Sequence, residues 1–271
     1  MLQFADNFSW TDWGLGLRSS HTFFILAGAY FLSIGPLKRS FGNVRVERGQ
    51  VIAFSLGLLS LFVVLVTPWS ELSNKYLFSA HMAQIMVVTL VATPLMLLGT
   101  PDWMLKPLFR VKAMDRMMRV FSKPMFCFLI FSGTLVFLHF TSAYNLILEN
   151  EPLYHLEHWV YFIASAFLWW PLLSPLKEYP RLSYAGQMLY LIINTFPSAM
   201  LGIAITFEPD ILYAKYSSAP LVWGLSHEDD QAIAGLTMWV GGSTYFLLLL
   251  TAVFFVWFDR DEKGLSKEPG I

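Results

Sequence analysis

Histidines and methionines are the side chains of this sequence whose types and spacing are best suited to chemistry. His155 and His158 stand in the stretch YHLEHW, and a spacing of three places them on neighbouring turns of one helical face. Glu157 projects elsewhere, where its carboxylate can orient an imidazole of another helix. The spacing differs from the HExxH pair of zinc peptidases, and the sequence shows no nucleophile–base arrangement or cofactor fingerprint. We therefore expect the chain not to be an enzyme.

Two more histidines fall within apolar segments. His139 is surrounded by apolar residues, where an ionisable group is costly and needs a partner: a ligand, or a neighbouring carbonyl or hydroxyl. His81 shares a helical turn with Gln84, and Met82 and Met86 lie on adjacent turns. Imidazole suits zinc, copper and iron, whereas thioether favours reduced copper. The residues predict a metal site that prefers copper, as Cu(I), to zinc, with these histidines as ligands: His81, His139, His155 and His158.

The composition indicates that lipid is the main solvent of this chain. Of the 271 residues, 56% are hydrophobic and only 14% are charged, whereas a soluble domain is about one quarter charged. The single cysteine, Cys127, excludes an internal disulfide framework and a cysteine-based zinc site. The first residues, MLQFADNFSWTDWG, are acidic and aromatic, so no cleavable signal peptide is expected. Nucleic acid is not expected among the partners.

Seven apolar segments are long enough to cross a bilayer, which takes about 20 residues of helix. Backbone polar groups cannot stay unpaired in lipid, so each segment is predicted to be a helix. The sequence predicts an all-α integral membrane protein with one domain, residues 1–271, in which Pro94 and Pro197 kink two of the helices. The segments are 21–37, 51–67, 77–99, 125–148, 155–174, 184–207 and 231–258.

The basic residues predict the orientation. Most of the 18 lysines and arginines fall on one side of the seven segments, and only Arg18, Lys75 and Lys215 fall on the other. Because cytoplasmic loops are enriched in lysine and arginine, the N-terminus is predicted to be outside and the C-terminus in the cytoplasm. A short outer segment, 1–20, and a cytoplasmic tail, 259–271, flank the helices. This topology places all six histidines in the outer half of the protein.

Five stretches of this sequence, in order, resemble the CtaG family of polytopic bacterial cytochrome c oxidase assembly factors. They are HMAQ (81–84), TPLMLLGTP (93–101), LHF (138–140), HLEHWVYFIASAFLWWPLL (155–173) and DQAIAGLTMWVGG (230–242). The resemblance implies a seven-span protein of the bacterial plasma membrane that helps to mature a haem–copper oxidase, with copper delivered at the outer face. It implies oxidase subunits or other copper chaperones as partners, besides the lipid bilayer.

The resemblance also carries over individual polar positions. Besides the four histidines, it points to Gln84, Glu157, Asp230 and Gln231 as supporting residues, and we add Met82 and Met86 as neighbouring thioethers. One departure concerns the first stretch, because the family usually reads HMxQH and this chain has Ile85 at the last position. Four residues are candidates to compensate for that histidine: His21, His227, Met82 and Met86.

Three alternatives remain open at this point. Histidines on facing helices can ligate haem b, which would make the chain a membrane electron-transfer protein. A copper transport or tolerance protein would need the same residues as a copper-delivering factor. The third alternative is a structural scaffold that binds no metal, in which the histidines form hydrogen bonds only with one another. A retinal receptor is excluded because it needs a Schiff-base lysine, and none of the seven segments contains a lysine.

Overall fold

The computed structural model of this chain describes residues 8–11, 13, 21–41 and 44–263, and these residues form helices and connecting loops without strands. Most of the predicted outer segment 1–20 lies outside the described residues, as do Arg18 and residues 264–271 of the predicted tail. The all-α prediction is confirmed for the described part of the chain.

The helices follow one another with short connections. In chain order the α-helices are α1 (His21–Ile34), α2 (Arg48–Leu61), α3 (Trp69–Lys75), α4 (Phe78–Met86), α5 (Thr93–Gly99), α6 (Asp102–Leu105), α7 (Lys112–Phe121), α8 (Pro124–His139), α9 (Thr141–Glu149), α10 (Glu151–Leu173), α11 (Tyr184–Phe207), α12 (Ala214–Ser217), α13 (His227–Leu236) and α14 (Gly242–Glu262). Three π-helical segments continue α2, α4 and α13 without a break: Phe62–Val66, Val87–Ala92 and Thr237–Gly241. Two 3₁₀ segments, Pro36–Phe41 and Leu108–Arg110, complete the set.

Four helical runs are long and apolar enough to cross a membrane: Arg48–Val66, Phe78–Gly99, Tyr184–Phe207 and His227–Glu262. The pair α7 and α8, bent by 84° at their junction, makes a fifth if it is counted as one span. The described residues therefore support a multi-pass membrane protein with four or five candidate spans. The 14-residue α1 is apolar but short, and the 23-residue α10 carries the polar YHLEHW stretch. The count of seven and the orientation stay predictions.

Segment 125–148, predicted as one helix, is two. Helix α8 ends at His139, and Phe140 adopts an extended backbone with φ −60° and ψ 128° before α9 begins. The break leaves the His139 carbonyl without a helical partner, and the Tyr213 hydroxyl donates to it at 2.9 Å. The helix therefore stops at the histidine, and a neighbouring loop satisfies the backbone group that the break exposes.

The central element is the run from Phe78 to Gly99, which consists of α4, a π-helical segment and α5. It is the most buried of the four candidate spans and packs against α2, α10 and α13. Pro94 lies at the first turn of α5, directly after the π-helical segment, whereas Pro197 is accommodated within an unbroken α11. This central run brings His81 to the middle of the helix assembly.

The crossing of α11 and α13 depends on two glycines. Gly202 of α11 and Gly235 of α13 face each other: a Cβ at Gly202 would lie 2.7 Å from the Gly235 carbonyl oxygen, and a Cβ at Gly235 would lie 2.6 Å from the Gly202 carbonyl oxygen. Such approaches are too close for any real side chain, and small residues at interfaces are a common means of bringing membrane helices together. The Gly202–Gly235 contact therefore fixes how α13 lies against α11.

We expect Gly202→Ala to destabilise the protein by about 1–3 kcal/mol, because the new methyl group must force two backbones apart. Gly133→Ala is the matched control, since a Cβ at Gly133 of α8 meets nothing within 4 Å. Alanine is the better helix former, so the control is expected to be neutral or slightly stabilising. Thermal unfolding in detergent measures both variants, and an equal response would contradict the role of the crossing.

Candidate metal centre

Three of the four predicted ligand histidines come together with a carboxylate inside the protein. His81 belongs to α4, His139 ends α8, and His158 and Glu157 belong to α10. All four side chains are buried, with the residues between 1% and 8% exposed. The His81 Nε2 atom lies 3.5 Å from the Glu157 Oε1 atom, which confirms that the glutamate points toward an imidazole of another helix.

The tautomers of two histidines follow from their partners. The Nδ1 atom of His158 lies 2.8 Å from the Tyr154 carbonyl oxygen, and the Nδ1 atom of His139 lies 2.7 Å from the Leu135 carbonyl oxygen. A carbonyl can only accept, so Nδ1 of each ring must carry a proton and donate it. In the neutral imidazoles Nε2 then holds the lone pair, the arrangement in which histidine binds a metal.

Several polar atoms of this cluster lack a partner. Among the described residues, His81 Nδ1, His158 Nε2 and both carboxylate oxygens of Glu157 are fully buried without a hydrogen bond. Each buried, unpaired polar atom costs about 1–3 kcal/mol, and native proteins contain few of them. Four such atoms in one place make this cluster a candidate binding site.

Tyrosines enclose the cluster. The Tyr144 ring centroid lies 5.1 Å from that of His81 and 6.5 Å from that of His139. The Tyr161 hydroxyl lies 3.3 Å from His139 Nδ1, and Tyr213 packs against Tyr144 with ring centroids 4.6 Å apart. These tyrosines were not predicted from the sequence. Tyr144 and Tyr161 lie near the predicted outer ends of their segments, a position that aromatic residues also take as bilayer anchors, and Tyr213 lies in a loop.

His155 lies apart from the buried cluster. It is half-buried, and its ring stands 4.9 Å from that of His21 of α1, edge to face. His158, one turn along α10, points into the protein instead. The structure therefore divides the predicted ligand set in two: three histidines inside with Glu157, and His155 nearer the surface with a histidine that the predicted set did not contain.

Gln84 is held by hydrogen bonds and fixes the surroundings of His81. Its Nε2 donates to the Val64 carbonyl at 2.7 Å, and its Oε1 accepts from the Ser73 hydroxyl at 2.7 Å and from the Tyr154 hydroxyl at 3.4 Å. Both ends of the buried amide are satisfied. Gln84 thus ties α4 to the π-helical segment that follows α2, to α3 and to α10, the last of which carries Glu157 and His158.

Asp230 caps α4 from a distant part of the chain. Its carboxylate accepts from the Phe78 N–H at 2.7 Å, from the Ser79 N–H at 3.0 Å, and from the Ser79 hydroxyl. A negative charge on the free N–H groups of a helix start stabilises that helix. No residue adjacent to α4 caps it, since Leu77 stands at the N-cap position. Asp230 therefore positions the helix that carries His81.

Gln231, the next residue, holds a loop rather than the cluster. Its Nε2 donates to the Asp210 carbonyl at 3.0 Å and to the Glu208 carbonyl at 3.2 Å, and its Oε1 accepts from the Leu212 N–H at 2.9 Å. This loop continues to Tyr213, which reaches the His139 carbonyl. Gln231 supports the site through the backbone only.

Ile85 is buried and lines a small cavity together with Met82 and Met86. Of the four residues named as compensating candidates, these two methionines therefore adjoin the position of the missing family histidine. His21 lies against His155, and His227 begins α13. Ile85 therefore lies beside two thioethers.

The cluster is not a preformed metal site. No group of three or more His, Cys, Asp or Glu side chains among the described residues has its donor atoms gathered for coordination. Two donor atoms that each lie about 2.0–2.2 Å from one ion are about 3.4 Å apart in a tetrahedral site, so the 3.5 Å between His81 Nε2 and Glu157 Oε1 is compatible with a shared ion. The donor atoms of His139 and His158 do not complete such a site, and side chains must move for the three histidines to share one ion.

Comparisons with known proteins show the family of this chain. A family model described as cytochrome c oxidase caa3 assembly factor matches residues 28–260. An uncharacterized protein of Mycobacterium leprae (strain TN) is 24% identical over 275 aligned positions, which cover 89% of this chain and 40% of that protein. This chain therefore spans less than half the length of that relative. No solved structure matches.

Proposed function

Because the chain belongs to the family of cytochrome c oxidase caa3 assembly factors, we propose that it matures a cytochrome c oxidase by carrying copper. Cu(I) is the cargo, and the cluster of His81, His139, His158 and Glu157 is its binding site. The recipient is an oxidase subunit or another copper chaperone that meets the protein at the outer face of the bacterial plasma membrane.

One observation carries this proposal. Imidazole nitrogen and carboxylate oxygen atoms remain unpaired in the buried cluster, although burial makes such atoms costly. Imidazole is a good ligand for copper, and the carboxylate of Glu157 offsets the positive charge of the ion. Tyr144, Tyr161 and Tyr213 enclose the cluster and exclude water, which keeps the ion on the protein until a partner removes it.

The proposed topology has seven spans, with α1, α8 together with α9, and α10 added to the runs Arg48–Val66, Phe78–Gly99, Tyr184–Phe207 and His227–Glu262. The N-terminus is outside and the C-terminus is cytoplasmic. Helix α10 then enters from the outer face with YHLEHW, so His155 and His21 stand closer to that face than His158 does. Copper reaches the cluster past this outer pair.

Each residue has a distinct part in the transfer. His139 and His158 present Nε2 because backbone carbonyls hold their Nδ1 protons, and His81 approaches Glu157 from α4. Gln84 and Asp230 position α4, and they bind no ion. No bond is made or broken in the cargo other than the coordination bonds themselves, so the proposal involves no enzymatic turnover.

Anaerobic Cu(I) titration of the purified protein against a colorimetric chelator tests the proposal. Near-stoichiometric binding is expected, and His139→Ala or His155→Ala is expected to weaken it by at least tenfold, which equals about 1.4 kcal/mol. A strain that lacks the protein is expected to make oxidase with empty copper centres, and wild-type protein restores them. A Soret band in the purified protein, or no copper above the detergent blank, would contradict the proposal.

A further inference from the structure

Three methionines surround one small cavity in the middle of the protein. Met82 and Met86 come from the central run, and Met238 comes from the π-helical segment that follows α13. The cavity measures about 20 Å³, which is room for one water-sized particle and not for an organic ligand. A lining with three thioethers is unusual for a packing defect, because methionine is flexible enough to fill irregular gaps.

The cavity adjoins the histidine cluster. Leu135 lines it, and the carbonyl of the same residue accepts the hydrogen bond from His139 Nδ1. Met82 follows His81 directly in the sequence and is buried as deeply. The histidine cluster and the cavity are therefore neighbours inside the protein.

The helices around the cavity depart from regular geometry. The π-helical segments Val87–Ala92 and Thr237–Gly241 both contribute to its lining, through Thr89, Leu90 and Met238. Single-turn π-helical segments occur frequently at functional sites. Gly242 leaves room beside them, since a Cβ there would lie 3.8 Å from the Met86 methyl carbon and 4.0 Å from its sulfur.

We propose that the cavity lined by Met82, Met86 and Met238 is a second metal site, which binds one Cu(I) ion through thioether sulfur. Thioethers select reduced copper over zinc and over hard cations. The lining also contains the hydroxyl groups of Thr89 and Ser198, which donate to the Ile85 carbonyl at 2.7 Å and to the Met238 carbonyl at 3.3 Å. This inference rests on the proposed copper-carrying function and extends it. The histidine cluster receives the ion, and the thioether cavity stores it deeper in the protein, away from water.

X-ray absorption at the copper edge, with Cu(I) loaded anaerobically, tests the site. Wild-type protein is expected to bind two Cu(I) ions and to show both nitrogen and sulfur neighbours. A triple variant, Met82→Leu with Met86→Leu and Met238→Leu, is expected to bind one ion and to lose the sulfur signal. Leucine conserves the volume, so this variant keeps its fold. The control replaces three methionines that lie away from the cavity with leucine: Met96, Met104 and Met118.

The outcomes separate this inference from the proposed function. Copper that shows only nitrogen and oxygen neighbours in wild-type protein, or a sulfur signal that the triple variant retains, would overturn the thioether site and leave the histidine site standing. In a His81→Ala, His158→Ala variant, loss of the nitrogen signal alone supports both sites. If that variant keeps all its copper while the methionine variant loses the sulfur-bound ion, the thioether site stands and the histidine site falls. No copper in wild-type protein overturns both.

Discussion

His158→Ala protein is expected to bind Cu(I) about 100-fold more weakly than wild-type protein at the histidine cluster, a loss of about 2.7 kcal/mol. The imidazole of His158 is buried, its Nδ1 proton is fixed on the Tyr154 carbonyl, and its Nε2 atom has no partner. Such a group is already oriented for a ligand, so its removal costs more than the loss of a flexible surface donor. Competition with a Cu(I) chelator of known affinity measures the change.

His155→Ala provides the matched comparison on the same helix. Its imidazole is half-buried against His21, outside the cluster, so its loss is expected to weaken binding by about tenfold, or about 1.4 kcal/mol, and to slow copper uptake. Unfolding temperatures of the two variants check that both remain folded. If His155→Ala proves the more damaging change, the metal site lies at the His21–His155 pair and the cluster is structural.

Asp230→Ala is expected to destabilise the protein by about 3 kcal/mol, because the buried carboxylate accepts from two backbone N–H groups and one hydroxyl. Its removal leaves the first turn of α4 uncapped inside the protein. We expect the unfolding temperature in detergent to fall, and the copper site to loosen with it because α4 carries His81.

Glu228→Ala is the control for this effect. It removes a carboxylate from the same first turn of α13, but the Glu228 side chain is exposed. A change of less than about 0.5 kcal/mol is expected for such a surface substitution. If the two variants lost similar amounts of stability, the acidic residues in the first turn of α13 would act through their charge on that helix. The cap that Asp230 forms on α4 would then not be the cause.

The helices that span the predicted segments were predictable because each contains an apolar stretch of suitable length. Segment 184–207 coincides with α11, and segment 77–99 corresponds to the run from Phe78 to Gly99. The break at Phe140 was not predictable from local sequence. The apolar pattern continues across it, and the partner that compensates the broken turn, Tyr213, lies 74 residues away from His139. Hydropathy reflects the apolar composition of a segment and not the long-range hydrogen bonds that allow a helix to end.

The candidate site, too, was predictable from the sequence only where local helix geometry decides the outcome. Helical spacing correctly indicated that Glu157 points toward an imidazole of another helix. It also placed His155 and His158 on one face, whereas the structure buries His158 together with Glu157 and leaves His155 half-buried. The separation of His155 from His158 depended on where α1 packs, and the capping role of Asp230 depended on a contact across 152 residues. Neither follows from the pattern around the residue itself, so both required the tertiary structure.

The π-helical segment Val87–Ala92 determines how the two ends of the central run, Phe78–Gly99, are rotated relative to each other about the helix axis. Each residue added to a helix turns everything beyond it by about 100°, so the widened segment sets which sides of α4 and α5 face the same way. Trp169 donates to the Thr89 carbonyl at 2.7 Å, and Tyr245 donates to the Leu90 carbonyl. The neighbouring helices α10 and α14 therefore fix the π-helical segment in place. His81 of α4 faces the histidine cluster, whereas Met96 of α5 faces α2. The two parts of the central run contact different parts of the protein because the π-helical turn lies between them.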